Sequence, residues 1–294
     1  MKIATASYPL DVFQTWADYE AKLTNWVSEA AGQGADLLVF PEYGAMELAT
    51  LAGLDVAADL EASLHAVSER LPQSDALHVK LAAENNVHIL AASAPYVPAV
   101  GQRPVNRARL FAPTGQVGVQ DKQIMTRFEE EVWDVVPGNA LQLFDTTLGK
   151  MGILICYDSE FPLLARALSD ADLILIPSVT EALSGYWRVR IGAMARALET
   201  QCVTVMSSVV GPAEWSPAVD ISVGAGGIYG PPDKGFPDTG VLAVGEINQP
   251  GWTYAEVDLQ TIAHARTDGV VLNRRNWTRQ DSRSDAALVC KIRE

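Results

Sequence analysis

The sequence predicts an α/β fold of layered strands and helices. Short β-rich runs of about five to seven residues recur between longer amphipathic stretches, the alternation that such layering produces. Apolar residues make up 48% and charged residues 20% of the 294, the balance of a folded enzyme-sized chain and far from that of disorder. No Ser/Gly linker, composition break or internal repeat divides the series. One domain is therefore expected over residues 1–268, with 269–294 as a polar C-terminal tail.

Residues 2–7 alternate as a first strand. Residues 14–31 place Trp16, Tyr19, Leu23, Trp26, Val27 and Ala30 at three- and four-residue spacing, a helix closed by Gly32 or Gly34. The apolar run Leu37-Leu38-Val39-Phe40, ended by Pro41, reads as a buried strand. A second helical region spans roughly residues 56–84 and is expected to break near Pro72, which has no amide proton; a strand follows at 87–92. Hairpins are expected for 107–112 with 116–121 around Pro113-Thr114-Gly115, and for 141–145 with 150–156 around Thr147-Leu148-Gly149. Residues 158–168 read as a helix, 173–176 as a strand, 187–200 as a helix and 202–207 as a strand. Beyond Val210 the Gly-Pro and Ser-Pro pairs predict loops, with strands at 226–229, 241–246 and 253–257 and a short helix at 259–266.

Charge and motif content narrow the function classes. The net charge of −14 repels polyanions, so neither nucleic acid nor an anionic membrane is an expected partner; the basic stretches 188–196 and 274–279 are short. Pro9 and Asp11 interrupt the N-terminal strand before a secretory apolar region develops, and no apolar run approaches the ~20 residues needed to cross a bilayer. Cys156, Cys202 and Cys290 are an odd number at wide spacing, which fits a reducing, cytoplasmic setting. Without a CxxC pair or HExxH, and with histidines scattered at 65, 78, 88 and 264, no metal site is expected.

A nucleophilic cysteine needs a proton acceptor and a place for the charge that develops on its substrate. Cys156 ends the apolar run Met151-Gly152-Ile153-Leu154-Ile155 and is followed by Tyr157-Asp158-Ser159-Glu160, a strand-to-helix switch that exposes a sulfur to backbone N–H groups. A cysteine at a strand end is more often a small buried hydrophobe, the reading given to Cys202. No histidine lies near a candidate strand end, whereas Glu42 follows a buried strand and Pro41, at the kind of sheet edge where α/β sites are built.

Leu38-Val39-Phe40-Pro41-Glu42, then Asp121-Lys122, then Gly152-Ile153-Leu154-Ile155-Cys156-Tyr157-Asp158 with Phe161-Pro162, resemble in order and spacing the three signature blocks of the nitrilase superfamily of carbon–nitrogen hydrolases. The resemblance implies an α/β fold of four layers, an α-β-β-α sandwich, and a Glu42, Lys122 and Cys156 triad acting on a small amide-like substrate. It also implies a second glutamate. Seven positions after the lysine and four before Trp133 selects Glu129, whereas counting back from Pro137-Gly138 selects Glu131; Glu129 is preferred. A homodimer or higher homo-oligomer is implied too.

In that scheme Glu42 takes the thiol proton, Lys122 and the Tyr157 backbone N–H hold the oxyanion, and no cofactor is needed because cysteine supplies the covalent intermediate. Tyr43, Trp133, Thr180, Glu181 and Trp187 are the candidate pocket residues, chosen because they flank the catalytic strand ends or follow Pro177. An amidase releasing ammonia leads. An N-carbamoyl amine or amino-acid hydrolase and a nitrilase stand beside it, the last disfavoured by Tyr157-Asp158 where nitrilases more often carry tryptophan and glutamate. A non-catalytic ligand-binding relative is the rival of another class, and selective thiol labelling of Cys156, with Cys202 and Cys290 slow, would separate them.

Overall fold

Alternating residues of the first strand face two different cores, and this arrangement sets the layers. In the computed structural model, which describes residues 1–283 and 290, strand β1 is Lys2–Pro9. Ala4, Ala6 and Tyr8 join one apolar cluster, and Ile3 joins the other.

The first cluster is made with helices. Helix α1 (Trp16–Gly32) begins at a Thr15–Asp18 capping box and buries Tyr19, Leu23, Val27 and Ala30. After β2 (Leu37–Val39), a 3₁₀ segment (Gly44–Ala52) and the short α2 (Leu54–Ala57) lead into α3 (Leu60–Asn85). This helix runs unbroken through Pro72, contrary to the expected interruption. Pro72 is exposed while Leu71 and Ser74 beside it are buried, so packing holds the inner face and water can solvate the carbonyl that the missing N–H leaves free.

Strands β3 (His88–Leu90), β4 (Ala94–Tyr96), β5 (Val105–Phe111) and β6 (Val117–Asp121) complete the first sheet. Of these β4 was not expected. Helix α4 (Arg127–Glu131) precedes the hairpin β7 (Phe144–Thr146) and β8 (Gly149–Ile153). The single helix expected over 158–168 is instead a 3₁₀ turn, Cys156–Glu160, and α5, Pro162–Ala167, split where extended Phe161 precedes a proline. Strand β9 (Leu173–Ser178), α6 (Leu183–Thr200) and β10 (Val203–Pro212) follow. Helix α6 starts four residues before the expected Trp187, and β10 runs on into the region read as loop because its end pairs with β1 and with β11 (Ile221–Ser222). Then come β12 (Gly227–Tyr229), β13 (Val241–Val244), β14 (Gly251–Glu256) and α7 (Leu259–Asp268).

Pairing joins these strands into one continuous curled sheet, and its two halves form the first and second sheets of the sandwich. Strand β1 lies between β2 (parallel) and β14 (antiparallel), and β10 lies between β9 (parallel) and β12 (antiparallel). The two are stitched where Ser7, Tyr8 and Pro9 pair with Ser208, Val209 and Val210. Ile3, Leu37, Val39, Leu90 and Leu110 from the first sheet share a cluster with Ile153, Leu173, Leu175, Val203 and Val205 from the second. Helices α1 and α3 cover the outside of the first sheet, and α6 packs on β10. The fold is thus the expected four-layer α-β-β-α sandwich.

Of the tail expected from residue 269, positions 269–283 and 290 are described; 284–289 and 291–294 lie outside the described residues. Helices α8 (Asn273–Asn276) and α9 (Thr278–Asp281) return to the chain's own body. The Gln201 side-chain amide donates to the Val271 carbonyl at 3.0 Å, Arg274 pairs with Asp170, and Arg166 pairs with Asp281 at 2.7 Å. Among the described residues no helix is long and apolar enough to cross a membrane.

Candidate active site

Strands β2, β8 and β9 run parallel within their sheets and end at the same edge of the sandwich, where a pocket of 330 Å³ opens. Glu42 follows β2 by way of Phe40 and Pro41. Tyr43 next to it takes a left-handed backbone (φ 51°), secured by its N–H donating to Ser93 Oγ at 3.0 Å. Lys122 follows β6, its N–H donating to the Asn106 carbonyl at 2.9 Å. Glu129 is fixed at the first turn of α4, where Thr126 Oγ1 donates to Glu129 Oε2 at 2.8 Å and the Thr126 N–H does so at 2.9 Å.

The sulfur arrives by a sharper turn. After β8, Leu154 N–H still donates to the Leu175 carbonyl, and then Cys156 takes φ 48°, a left-handed conformation unusual for a residue with a β-carbon. Sγ reaches the Val179 carbonyl at 3.7 Å, just past β9. Helix α6 comes close behind this turn at Gly192, where a β-carbon would stand 3.0 Å from the Ser159 carbonyl oxygen.

These side chains form one buried network. Lys122 Nζ donates to Glu42 Oε1 at 2.7 Å and to Glu129 Oε2 at 2.5 Å, with all three side chains almost wholly excluded from solvent. Asn106 Nδ2 donates to Glu42 Oε1 at 3.0 Å, Tyr43 Oη to Glu129 Oε1 at 2.8 Å, and the Val179 N–H to Glu42 Oε2 at 3.1 Å. Every carboxylate oxygen of the pair has a donor, as burial of charge demands.

The environment separates the two glutamates. Burial pushes the Glu42 carboxyl up and outweighs the opposing pull of Lys122. Burial acts the same way on Glu129, but there Lys122 and the Thr126 bonds win and hold it below the ordinary carboxylate value. For Lys122 burial favours the neutral amine, and the two carboxylates override it, raising its pKa. Burial first, and the Glu42 carboxylate next, push the Cys156 thiol well above its usual range. The Cys156 sulfur thus shares one buried cluster with a carboxyl group that is itself bonded to the Lys122 nitrogen.

The structure brings Glu42, Lys122, Glu129 and Cys156 together, and Tyr43, Trp133, Thr180 and Glu181 line the same pocket. Tyr43 and Trp133 rings meet at 4.9 Å, and Trp133 Nε1 donates to the Leu60 carbonyl at 3.0 Å. Glu131 lies elsewhere, exposed and paired with Arg127 at 2.7 Å. Trp187 is not in the lining: it is on the solvent side of α6 with Ile191 and Leu198, because Tyr186, Val189, Ala193 and Ala197 occupy the buried phase. Arg188 lines the pocket instead. Tyr157 follows the sulfur-bearing residue at the start of the 3₁₀ turn, its ring against Phe161 at 4.9 Å. Cys290 is exposed, which removes it from the slow-labelling set expected of it, while Cys202 is buried.

Two polar residues were missed by sequence reasoning. Asn106 bridges to Glu42 from inside β5, where an asparagine in an alternating strand gives no signal. Asp158 accepts the N–H groups of Ile124 at 2.9 Å, Gln123 at 3.2 Å and Ile155 at 3.3 Å, joining the lysine segment to the strand end that carries the cysteine. Burial raises its carboxyl to about 7. Its position two residues after the cysteine was the available signal.

Known proteins resemble this chain along nearly its whole length. Residues 2–267 match the carbon–nitrogen hydrolase family. A probable hydrolase of Bacillus subtilis, YhcX, is 31% identical over 273 residues, covering 92% of this chain; the chain spans about half, 52%, of that relative's length. Omega-amidase NIT2 of Danio rerio is 25% identical over 288 residues, covering 94% of this chain and 95% of the relative. Among solved structures, a mutant of the amidase from Nesterenkonia sp. AN1, carrying the Michael addition product of acrylamide at its active-site cysteine, superposes with a TM-score of 0.68 at 20% identity, covering 94% and 99% of the two chains. The chain belongs to the carbon–nitrogen hydrolase family. Members of that family are described as hydrolases of carbon–nitrogen bonds.

Proposed function

We propose that the chain hydrolyses a small carboxamide and releases ammonia through a thioester on Cys156. The observation that carries this reading is the placement of one buried carboxylate, Glu42, against both the Lys122 ammonium and the Cys156 thiol on the wall of a single pocket. The omega-amidase and the Nesterenkonia amidase among its relatives support it.

As the thiolate forms, its proton passes to Glu42 and the sulfur attacks the amide carbon. The carbonyl oxygen takes up the negative charge, stabilised by the Lys122 ammonium and the Tyr157 backbone N–H, at about 3 kcal/mol per donor. Glu42 returns its proton to the nitrogen, the carbon–nitrogen bond breaks and ammonia leaves. Water then attacks the thioester, giving its proton to Glu42, and the carbon–sulfur bond breaks to free the acid. The same proton finally restores the thiol. Glu129 keeps Lys122 charged and in place throughout.

An ammonia-release screen over amides, carbamoyl compounds and nitriles, run beside Cys156→Ala, tests the reading. Amide turnover that vanishes in the variant, with an acyl adduct on Cys156 in the mass spectrum of the quenched enzyme, is the expected result. Ammonia release that survives Cys156→Ala would overturn it.

A further inference from the structure

Charge at the pocket mouth is unevenly committed. Two ionisable residues stand there, Glu181 and Arg188. Arg188 Nη2 donates to Glu160 Oε2 at 2.8 Å and its guanidinium lies 5.6 Å from the Tyr157 ring centroid, so its charge is already matched. Glu181 is exposed and makes no hydrogen bond or ion pair among the described residues. Deeper in, two carboxyl groups, those of Glu42 and Glu129, face the single amine of Lys122. The remaining walls carry no charge: Tyr43, Phe128, Trp133, Val219 and Ile221 supply aromatic and apolar surface, and Thr126, Thr180 and Ser184 supply hydroxyls.

We infer that this pocket selects amides carrying a cationic group at the end remote from the scissile bond, with Glu181 as the residue that receives it. The inference rests on the amidase reading and adds the substrate class. A carboxylate at that end would meet an unmatched negative charge, while an ammonium would meet a free carboxylate and the faces of nearby aromatic rings. The distance is set by the chain itself. Val179, whose carbonyl touches Sγ, and Glu181 are two residues apart, at most about 7 Å of extended backbone. A cation four to six bonds from the amide carbon spans roughly that gap.

The test compares 5-aminopentanamide, hexanamide and 6-amino-6-oxohexanoate, which differ mainly in the charge of the far end. The expected order of kcat/KM is cation, neutral, anion, with steps of about fivefold at low salt that shrink as ionic strength rises. In Glu181→Gln the ratio of cationic to neutral amide should fall about fivefold, and in Glu181→Lys the order should invert. Preference for the anion in the wild-type protein, or an order that Glu181→Lys leaves unchanged, overturns the inference. Absence of turnover with all three counts against the amidase reading instead, and the affinities of the same compounds for Cys156→Ala, measured by calorimetry, then decide the charge preference alone.

Discussion

Asp158 Oδ1 accepts the Ile124 N–H at 2.9 Å across 34 residues of sequence, and through that bond the segment carrying Lys122 is tied to the turn carrying Cys156. The same carboxylate takes the N–H groups of Gln123 and Ile155, so three backbone donors from two chain segments converge on one side chain. Asp158→Asn replaces one acceptor oxygen with a donor that faces a backbone N–H. Loss of one such charge-assisted bond is worth about 1.5–3 kcal/mol. The expected outcome is a kcat lowered about 10- to 100-fold with KM changed far less, read by steady-state kinetics on the best amide.

Glu42 must be ionised to accept the thiol proton, and burial raises its pKa. Activity therefore rises with pH through that raised value, and the acid limb of kcat/KM should sit above the ordinary glutamate range. Glu42→Gln should cost at least about 100-fold in turnover. The same change removes a negative charge that holds the Cys156 thiol up. Alkylation of Cys156 by iodoacetamide at alkaline pH should then quicken while amide hydrolysis collapses, in a Cys290→Ser background because Cys290 is exposed. Parallel loss of both rates would contradict this account.

The two candidate glutamates differ in what their loss should do. Glu129→Gln leaves Lys122 buried with one carboxylate in place of two, at a cost of up to about 3 kcal/mol. Because Glu129 is held below its ordinary pKa, the stabilisation it gives is present at neutral pH and is lost as pH falls through that lowered value. The gap between wild type and Glu129→Gln in urea denaturation should accordingly narrow in acid. Glu131→Gln breaks an exposed pair with Arg127 and should change stability by less than about 1 kcal/mol.

Gly192→Val would push a branched side chain against the Ser159 carbonyl, already 3.0 Å from where a β-carbon would stand. Overpacking of this kind costs about 1–3 kcal/mol. A lower melting temperature together with a reduced kcat is expected, since the displaced turn is the one that starts at Cys156.

Much of this site was legible because its residues sit where strands stop. Glu42 and Cys156 follow apolar runs ended by a proline or a polar switch, features that sequence displays directly. Side-chain phase was harder to read. The sequence places Trp187 near the pocket because it follows β9 closely, but α6 begins at Leu183, and the phase set by Tyr186 and Val189 turns the indole outward. Pro72 looked like a break because its missing donor is visible in sequence, whereas the exposure that makes it tolerable is a tertiary property. Asn106 could not be found at all: nothing local distinguishes a strand asparagine that meets a buried carboxylate from one that meets water.

The left-handed backbone at residue 156 places catalysis and folding in opposition. A β-carbon there carries about 1–2 kcal/mol of conformational penalty that glycine would not. Alanine keeps the penalty and glycine sheds it. Of two inactive proteins, Cys156→Gly should thus unfold at higher denaturant than Cys156→Ala, a sign that the reactive sulfur is held by its neighbours in a shape the local chain would otherwise leave.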